Sequence, residues 1–150
     1  HGIAFCDIDN DGDQDVFAVL GGAFSGDVFQ NALFENPGHG NNWINIKLEG
    51  IQSNRSAIGT RIKLLLQGEE GIREIHRTVT TGGSFGGSSL QVEVGLGSAE
   101  EVIEMVVTWP ASGVEQSFKN IQANRFLLIV ENKDQIIELD RKEFSFRKNP

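Results

Sequence analysis

The sequence has few of the residues and segments on which most catalytic, redox and membrane-bound proteins depend. Its single cysteine, Cys6, excludes an internal disulfide and a metal cluster built from cysteines. No apolar run reaches 18 residues, so the sequence predicts no helix that spans a membrane. Basic residues number 13 against 21 acidic ones. This balance argues against a nucleic-acid partner, which requires a basic surface.

Catalytic motifs are also missing. The three histidines, His1, His39 and His76, lie in no recognisable metal-binding or triad motif. The glycine-rich stretch Gly82–Gly87 lacks the lysine of a phosphate-binding loop, so we interpret it as a flexible loop or a hairpin connection. We therefore assign no catalytic residue and predict that the protein is not an enzyme.

The most informative feature that is present is a run of aspartates near the start of the chain. Five of them fall within nine residues, namely Asp7, Asp9, Asp11, Asp13 and Asp15. The net charge of the chain is −8, and the charge without these five is only −3, so the acidity is local. So many carboxylates in one short loop require a compensating cation.

The spacing of this run predicts the ion. Alternate aspartates can converge on a hard cation such as Ca²⁺, which takes six to eight oxygen ligands. We predict the side chains of Asp7, Asp9, Asp11 and Asp15 as ligands, with the backbone carbonyl of Asp13 as a fifth. Gly12 allows the sharp turn that this requires. The alternative is a solvated acidic turn without a metal, because Asp, Asn and Gly also favour turns.

The rest of the chain has the pattern of a β protein. In Ile44–Glu49, apolar and polar residues alternate as in a half-buried strand. Similar segments predict further strands at Ile3–Cys6, Val16–Leu20, Ala32–Asn36, Ile58–Leu66, Ile72–Thr80, Leu90–Val94, Ile103–Trp109, Val114–Phe118 and Phe126–Val130. Only Ser98–Val102 is predicted as a helical turn. This pattern predicts an all-β fold, an antiparallel sandwich or a barrel-like domain.

The first 38 residues form a unit of their own. Val16–Leu20 is apolar on both faces and is therefore expected to be buried on both sides. So short a unit cannot bury this strand alone, and it must pack on the rest of the chain or on preceding repeats. Because the chain starts with His1-Gly2, we expect it to be the C-terminal piece of a longer protein. We divide it into residues 1–38, 39–132 and 133–150, the last being a C-terminal strand or tail.

The acidic loop and the strand after it resemble the FG-GAP or VCBS repeat, the blade unit of integrin-type β-propellers. The resemblance implies a calcium loop outside any EF-hand, with upstream propeller repeats of the same chain as partners. The residues agree on the first point. Where an EF-hand requires a bidentate glutamate, this chain has Ala18, and the flanking segments have strand patterns.

Residues from Asn42 to about Glu131 are similar to the ASPIC/UnbV domain, which follows such repeats in cartilage acidic protein and many bacterial secreted proteins. The matching motifs are Asn42-Trp43-Ile44, Leu48-Glu49-Gly50, Ser53–Gly59, Gly95-Leu96-Gly97, Val107–Pro110 and Asn124–Glu131. In the Gly82–Ser89 stretch, Phe85 replaces the tyrosine that the family usually has. The resemblance implies a secreted or cell-surface protein and no established catalytic activity.

The expected function is a non-enzymatic, calcium-stabilised extracellular binding or adhesion module whose ligand is an extracellular protein or a glycan. One alternative is a carbohydrate-recognition module, in which the Gly82–Ser89 loop and an exposed tryptophan contact a sugar. Another is an accessory domain of a secreted enzyme. Trp43 and Trp109 each lie in phase with apolar neighbours, which favours core packing over sugar stacking.

Overall fold

The structure, a computed structural model, describes residues 2–68, 71–83 and 85–146. These residues form twelve strands and no helix. The strands are β1 (Gly2–Cys6), β2 (Asp15–Val19), β3 (Ala32–Phe34), β4 (Asn42–Glu49), β5 (Arg61–Gly68), β6 (Gly71–Thr78), β7 (Gly86–Ser88), β8 (Val92–Gly97), β9 (Glu101–Thr108), β10 (Glu115–Gln122), β11 (Arg125–Val130) and β12 (Ile136–Glu138). The all-β prediction is confirmed, and each of the ten predicted strands overlaps an observed one.

Two four-stranded sheets share the main hydrophobic core. Their strand orders are β10-β9-β5-β6 and β12-β11-β4-β8. Both sheets contribute side chains to one buried cluster, which gives a sandwich-like arrangement. Among the largest completely buried side chains are Ile44, Ile46, Ile62, Leu64, Leu66, Leu96, Met105, Trp109 and Ile129. The inward residues alternate with outward ones, as the period-two pattern of the sequence predicts.

Three details differ from the sequence predictions. None of the sheets formed by the described residues closes into a barrel. The strands are not all antiparallel, because β4 pairs in parallel with β11. The predicted helical turn at Ser98–Val102 is wrong, since β9 already begins at Glu101 and Val102 is buried in the core.

A third sheet contains the N-terminal strands in the order β3-β2-β1-β7. Its edge strand β7 comes from the glycine-rich stretch and pairs in parallel with β1, with Ile3 opposite Gly86. The interpretation of this stretch as only a flexible loop or hairpin is therefore wrong for Gly86–Ser88. Ser84 lies outside the described residues. The glycine-rich segment thus joins the sandwich to the N-terminal sheet.

The N-terminal sheet carries apolar side chains on both faces, and the rest of the described chain leaves many of them exposed. Of the apolar side chains of β2, only Ala18 is buried, while Phe17 and Val19 are 37% and 39% exposed. The described residues therefore do not bury the Val16–Leu20 strand on both sides, and its packing on preceding repeats stays a prediction. Other exposed side chains of this sheet are Ile3, Phe5, Leu33 and Phe34.

One buried carboxylate holds part of the sandwich together. Glu131, which follows β11, is completely buried. Its Oε2 accepts hydrogen bonds from the backbone N–H groups of Ile51, Gln52 and Ser53 at 2.6–2.7 Å. Its Oε1 accepts from the hydroxyls of Ser53 at 2.9 Å and Ser112 at 2.6 Å. Burial raises the pKa of Glu131, but these hydrogen bonds favour the charged form and lower the pKa to about 2.

Candidate metal centre

The acidic loop connects β1 to β2 and turns sharply at two positions. Asn10 and Gly12 have φ values of 63° and 96°, in the region that glycine tolerates best. Gly12 is required for a second reason, because a Cβ at this position would overlap the indole ring of Trp43. The turn predicted at Gly12 is confirmed, and the loop lies directly against β4.

Three aspartates of the loop converge. Asp7, Asp9 and Asp11 each offer a carboxylate oxygen, and these oxygens lie within 4.8 Å of one another. Two oxygens that bind one Ca²⁺ at its usual distances are separated by at most about 5 Å. The three carboxylates are therefore close enough to share one ion without rearrangement of the loop.

Two oxygens in this cluster have no hydrogen-bond partner among the described residues. Asp7 is 9% exposed and Asp9 is 4% exposed, and the Oδ1 atom of each is buried and unpaired. Leaving a buried acceptor unpaired costs free energy, and more so when it is charged. A cation held by this cluster of carboxylates would remove this cost, so the residues present fit the predicted metal.

The other two aspartates have different positions. Asp15 is completely buried, and its two oxygens accept hydrogen bonds from the backbone N–H groups of Ile8 at 3.0 Å and Asn36 at 2.9 Å. It therefore braces the loop from the start of β2 and is not part of the three-carboxylate cluster. Asp13 donates its N–H to Asp11 Oδ1 at 2.9 Å. Ligation by Asp15 and by the Asp13 carbonyl stays a prediction.

The electrostatics of the loop disfavour its full ionisation. Burial, with Glu93 as the second cause, raises the pKa of Asp7 to about 6. Burial and neighbouring aspartates also raise the pKa values of Asp9 and Asp13, although His39 lowers the latter. A divalent cation reverses this situation, because it stabilises the charged form of every nearby carboxylate.

Two residues that the sequence did not identify hold the loop from the sandwich. Asn45 of β4 donates Nδ2–H to Asp7 Oδ2 at 2.8 Å. Glu93 of β8 accepts from the Asp7 N–H at 3.3 Å and from Gln14 Nε2 at 2.6 Å. Alternation in β4 predicts that Asn45 faces solvent, yet it is 1% exposed, because the loop covers this face of the sheet. The sequence carries no signal for either role, because the pairing of Asn45 with Glu93 is a property of the folded chain.

The two tryptophans and the cysteine are wholly or partly buried rather than exposed for ligand binding. Trp109 is completely buried, and its Nε1–H donates to Gln116 Oε1. Trp43 is half-buried beneath the loop, with its ring 4.9 Å from that of Phe126. Burial raises the pKa of Cys6, so its thiol stays protonated and weakly reactive.

Residues 50–136 match the sequence profile of the family described as ASPIC and UnbV. This match covers more than half of the chain, and the protein therefore belongs to the ASPIC/UnbV family. A comparison with curated protein sequences found no match. Within the described residues, no helix is long and apolar enough to cross a membrane.

Proposed function

We propose that this protein is a non-enzymatic, calcium-stabilised binding or adhesion module that acts outside the cell. Its sandwich is the ASPIC/UnbV domain, and its N-terminal sheet is the end of an FG-GAP/VCBS-type propeller. Ca²⁺ binds in the loop of residues 7–15 and acts as a structural brace. It neutralises the crowded carboxylates and fixes the turn between β1 and β2.

The observation that carries this proposal is the pair of buried, unpaired oxygens, Asp7 Oδ1 and Asp9 Oδ1. An acidic turn that is merely solvated leaves its carboxylates exposed to water, whereas these two are more than nine-tenths buried. All the converging atoms are carboxylate oxygens, which hard cations such as Ca²⁺ prefer.

The exposed apolar faces of the N-terminal sheet support the propeller part of the proposal. A propeller blade buries both faces against its neighbours, and this sheet has apolar side chains on both. We therefore propose preceding repeats of the same chain as its packing partners. An extracellular protein or a glycan is the ligand of the assembled module.

Calcium should bind tightly enough to stabilise the fold. The structure offers a direct optical probe, because the Trp43 ring lies against the loop. We expect Tb³⁺, a luminescent substitute for Ca²⁺, to show emission sensitised by tryptophan and to be displaced by Ca²⁺. The change Asp9→Asn should remove this emission, whereas Asp134→Asn, at an exposed position outside the loop, should keep it. Equal emission from both variants would contradict the proposed site.

Chelation should lower the melting temperature. At a Ca²⁺ concentration a hundred times its Kd, binding to the folded form adds about 2.7 kcal/mol to the free energy of unfolding. For a chain of this length that corresponds to about 8 °C in Tm. Scanning calorimetry with EGTA and then with excess Ca²⁺ measures this difference. Melting curves that coincide would rule out a stabilising ion.

A further inference from the structure

The contact between Asn45 and Asp7 leaves one carboxylate oxygen free for an ion. Asp7 Oδ2 accepts from Asn45 Nδ2 at 2.8 Å and from the Gly12 N–H at 3.2 Å. With both donors on Oδ2, the carboxylate is fixed, and Oδ1 is left buried without a partner in the part of the chain that the structure describes. Asn45 therefore orients a predicted ligand from a different part of the fold.

The side-chain amide of Asn45 is itself only partly hydrogen-bonded. Its own Oδ1 is also buried and has no hydrogen-bond partner in the described part of the chain. A buried amide with one half unpaired is unfavourable, and an apolar side chain of similar volume would avoid the penalty. An asparagine at this position is therefore explained by its effect on Asp7 rather than by packing.

Glu93 lies directly opposite Asn45 in the β4–β8 register and contacts both ends of the loop. Its Oε1 accepts from the Asp7 N–H, and its Oε2 accepts from Gln14 Nε2. It also places a second carboxylate beside that of Asp7, so a cation bound at the loop offsets the repulsion between the two negative charges.

The C-terminal segment holds the loop from another side. The N–H of Phe144 donates to the carbonyl of Asp9 at 2.9 Å. Asn10 Nδ2 donates to the carbonyl of Lys142 at 3.2 Å. The conformation of the loop is therefore tied to the position of residues 142–144, which come after the family domain in the sequence.

We propose that the ASPIC/UnbV domain is part of the calcium site. Asn45 and Glu93 hold Asp7 in its ligating position, so that calcium binding and docking of the N-terminal sheet onto the domain stabilise each other. This inference rests on the proposed calcium site. Because coupling between two equilibria is reciprocal, weakening the docking contacts lowers calcium affinity, and removing calcium loosens the contacts.

The test compares Asn45→Leu with Lys47→Leu. The two positions lie two residues apart on the same face of β4, but Lys47 is exposed. We expect Asn45→Leu to raise the Kd for Ca²⁺ by about tenfold, as is usual when a residue that orients a metal ligand is lost. Lys47→Leu should not raise it. Competition against Tb³⁺ measures both values on the full chain.

Hydrogen exchange supplies a readout that a purely structural role of Asn45 would not move. In the unsubstituted chain, Ca²⁺ should slow exchange of the Phe144 amide, which donates to the loop. In Asn45→Leu this calcium-dependent slowing should shrink by about the same tenfold factor. Glu93→Gln, which keeps the shape of the side chain, should also weaken calcium binding, and it serves as the second variant if Asn45→Leu does not fold.

The outcomes separate the two proposals. If the unsubstituted chain binds Ca²⁺ and both Asn45→Leu and Glu93→Gln bind it equally well, the coupling is refuted and the calcium site stands. If the unsubstituted chain binds no Ca²⁺ and no Tb³⁺, both proposals fail. Weaker binding in both variants, together with unchanged binding in Lys47→Leu, supports the coupling.

Discussion

Replacing Glu131 with glutamine should lower the free energy of unfolding by about 3 kcal/mol at pH 7. The carboxylate is completely buried and accepts five hydrogen bonds, three of them from consecutive backbone N–H groups. The side-chain amide of glutamine keeps one acceptor oxygen. Its NH2 group takes the place of the second oxygen and faces N–H or O–H groups that also donate. Buried donors left unpaired cost about 1–3 kcal/mol each. Denaturant unfolding measures the loss.

The matched control is Glu100→Gln, which removes the same charge at an exposed position. Surface substitutions of this kind usually change stability by less than about 0.5 kcal/mol. If the two variants unfold at the same denaturant concentration, the buried carboxylate is not the brace that its hydrogen bonds indicate.

The effect of Glu131 should also depend on pH in a defined direction. The pKa of this group is about 2 in the folded protein against an ordinary value of 4.5. A lowered pKa means that the unfolded chain takes up the proton first as the pH falls. The stabilisation is therefore fully present above pH 4.5 and is lost as the pH falls from 4.5 through 2. A stability difference from Glu131→Gln that stays constant over this range would contradict the assignment.

Much of the fold was predictable because alternation is a local property. In β4, apolar Ile44 and Ile46 alternate with polar residues, and the structure buries both of them in the core. Period-two patterns indicate where strands lie and which side chains face inward. They do not indicate which strands become neighbours, so the parallel pairing of β4 with β11 could not be predicted.

The residues that the sequence did not reveal depend on tertiary contacts. Asn45 occupies an outward position of its strand, and only the docked loop makes that position buried. Glu131 ends a family motif, yet the pattern does not show that it accepts hydrogen bonds from Ser53 and Ser112. The converging aspartates were predictable because the loop that carries them is continuous in sequence. Their supporting residues come from distant strands.

The glycine-rich segment is the clearest case in which composition misleads. Many glycines in one stretch indicate a flexible loop, but here they allow close packing. A Cβ at Gly86 would overlap the carbonyl oxygen of Ile3, and a Cβ at Gly82 would overlap the backbone of Gly87. These glycines let β7, which lies within the residues that match the family, approach β1 closely enough to pair with it.

Replacing Gly86 with alanine should therefore detach β7 from β1. The residue has a φ of 133°, which an L-residue with a side chain rarely adopts, and the added methyl meets backbone atoms that cannot rotate away. We expect exchange of the Ile3 amide, which donates to the Phe85 carbonyl at 2.9 Å, to become about a hundredfold faster. This factor corresponds to about 2.7 kcal/mol of local stability.

The control for this change is Gly95→Ala in β8, where the new methyl would meet open space and φ is ordinary. Equal exchange at Ile3 in both variants would show that β7 does not hold the N-terminal sheet. The Gly86 variant also separates two connections between strands β1–β3 and the rest of the chain. Gly86 pairs with Ile3 of β1, whereas Asn45 contacts Asp7 directly. On the proposal that calcium binds in the loop, detachment of β7 should leave the affinity for Ca²⁺ unchanged, because the contact between Asn45 and Asp7 does not involve β7.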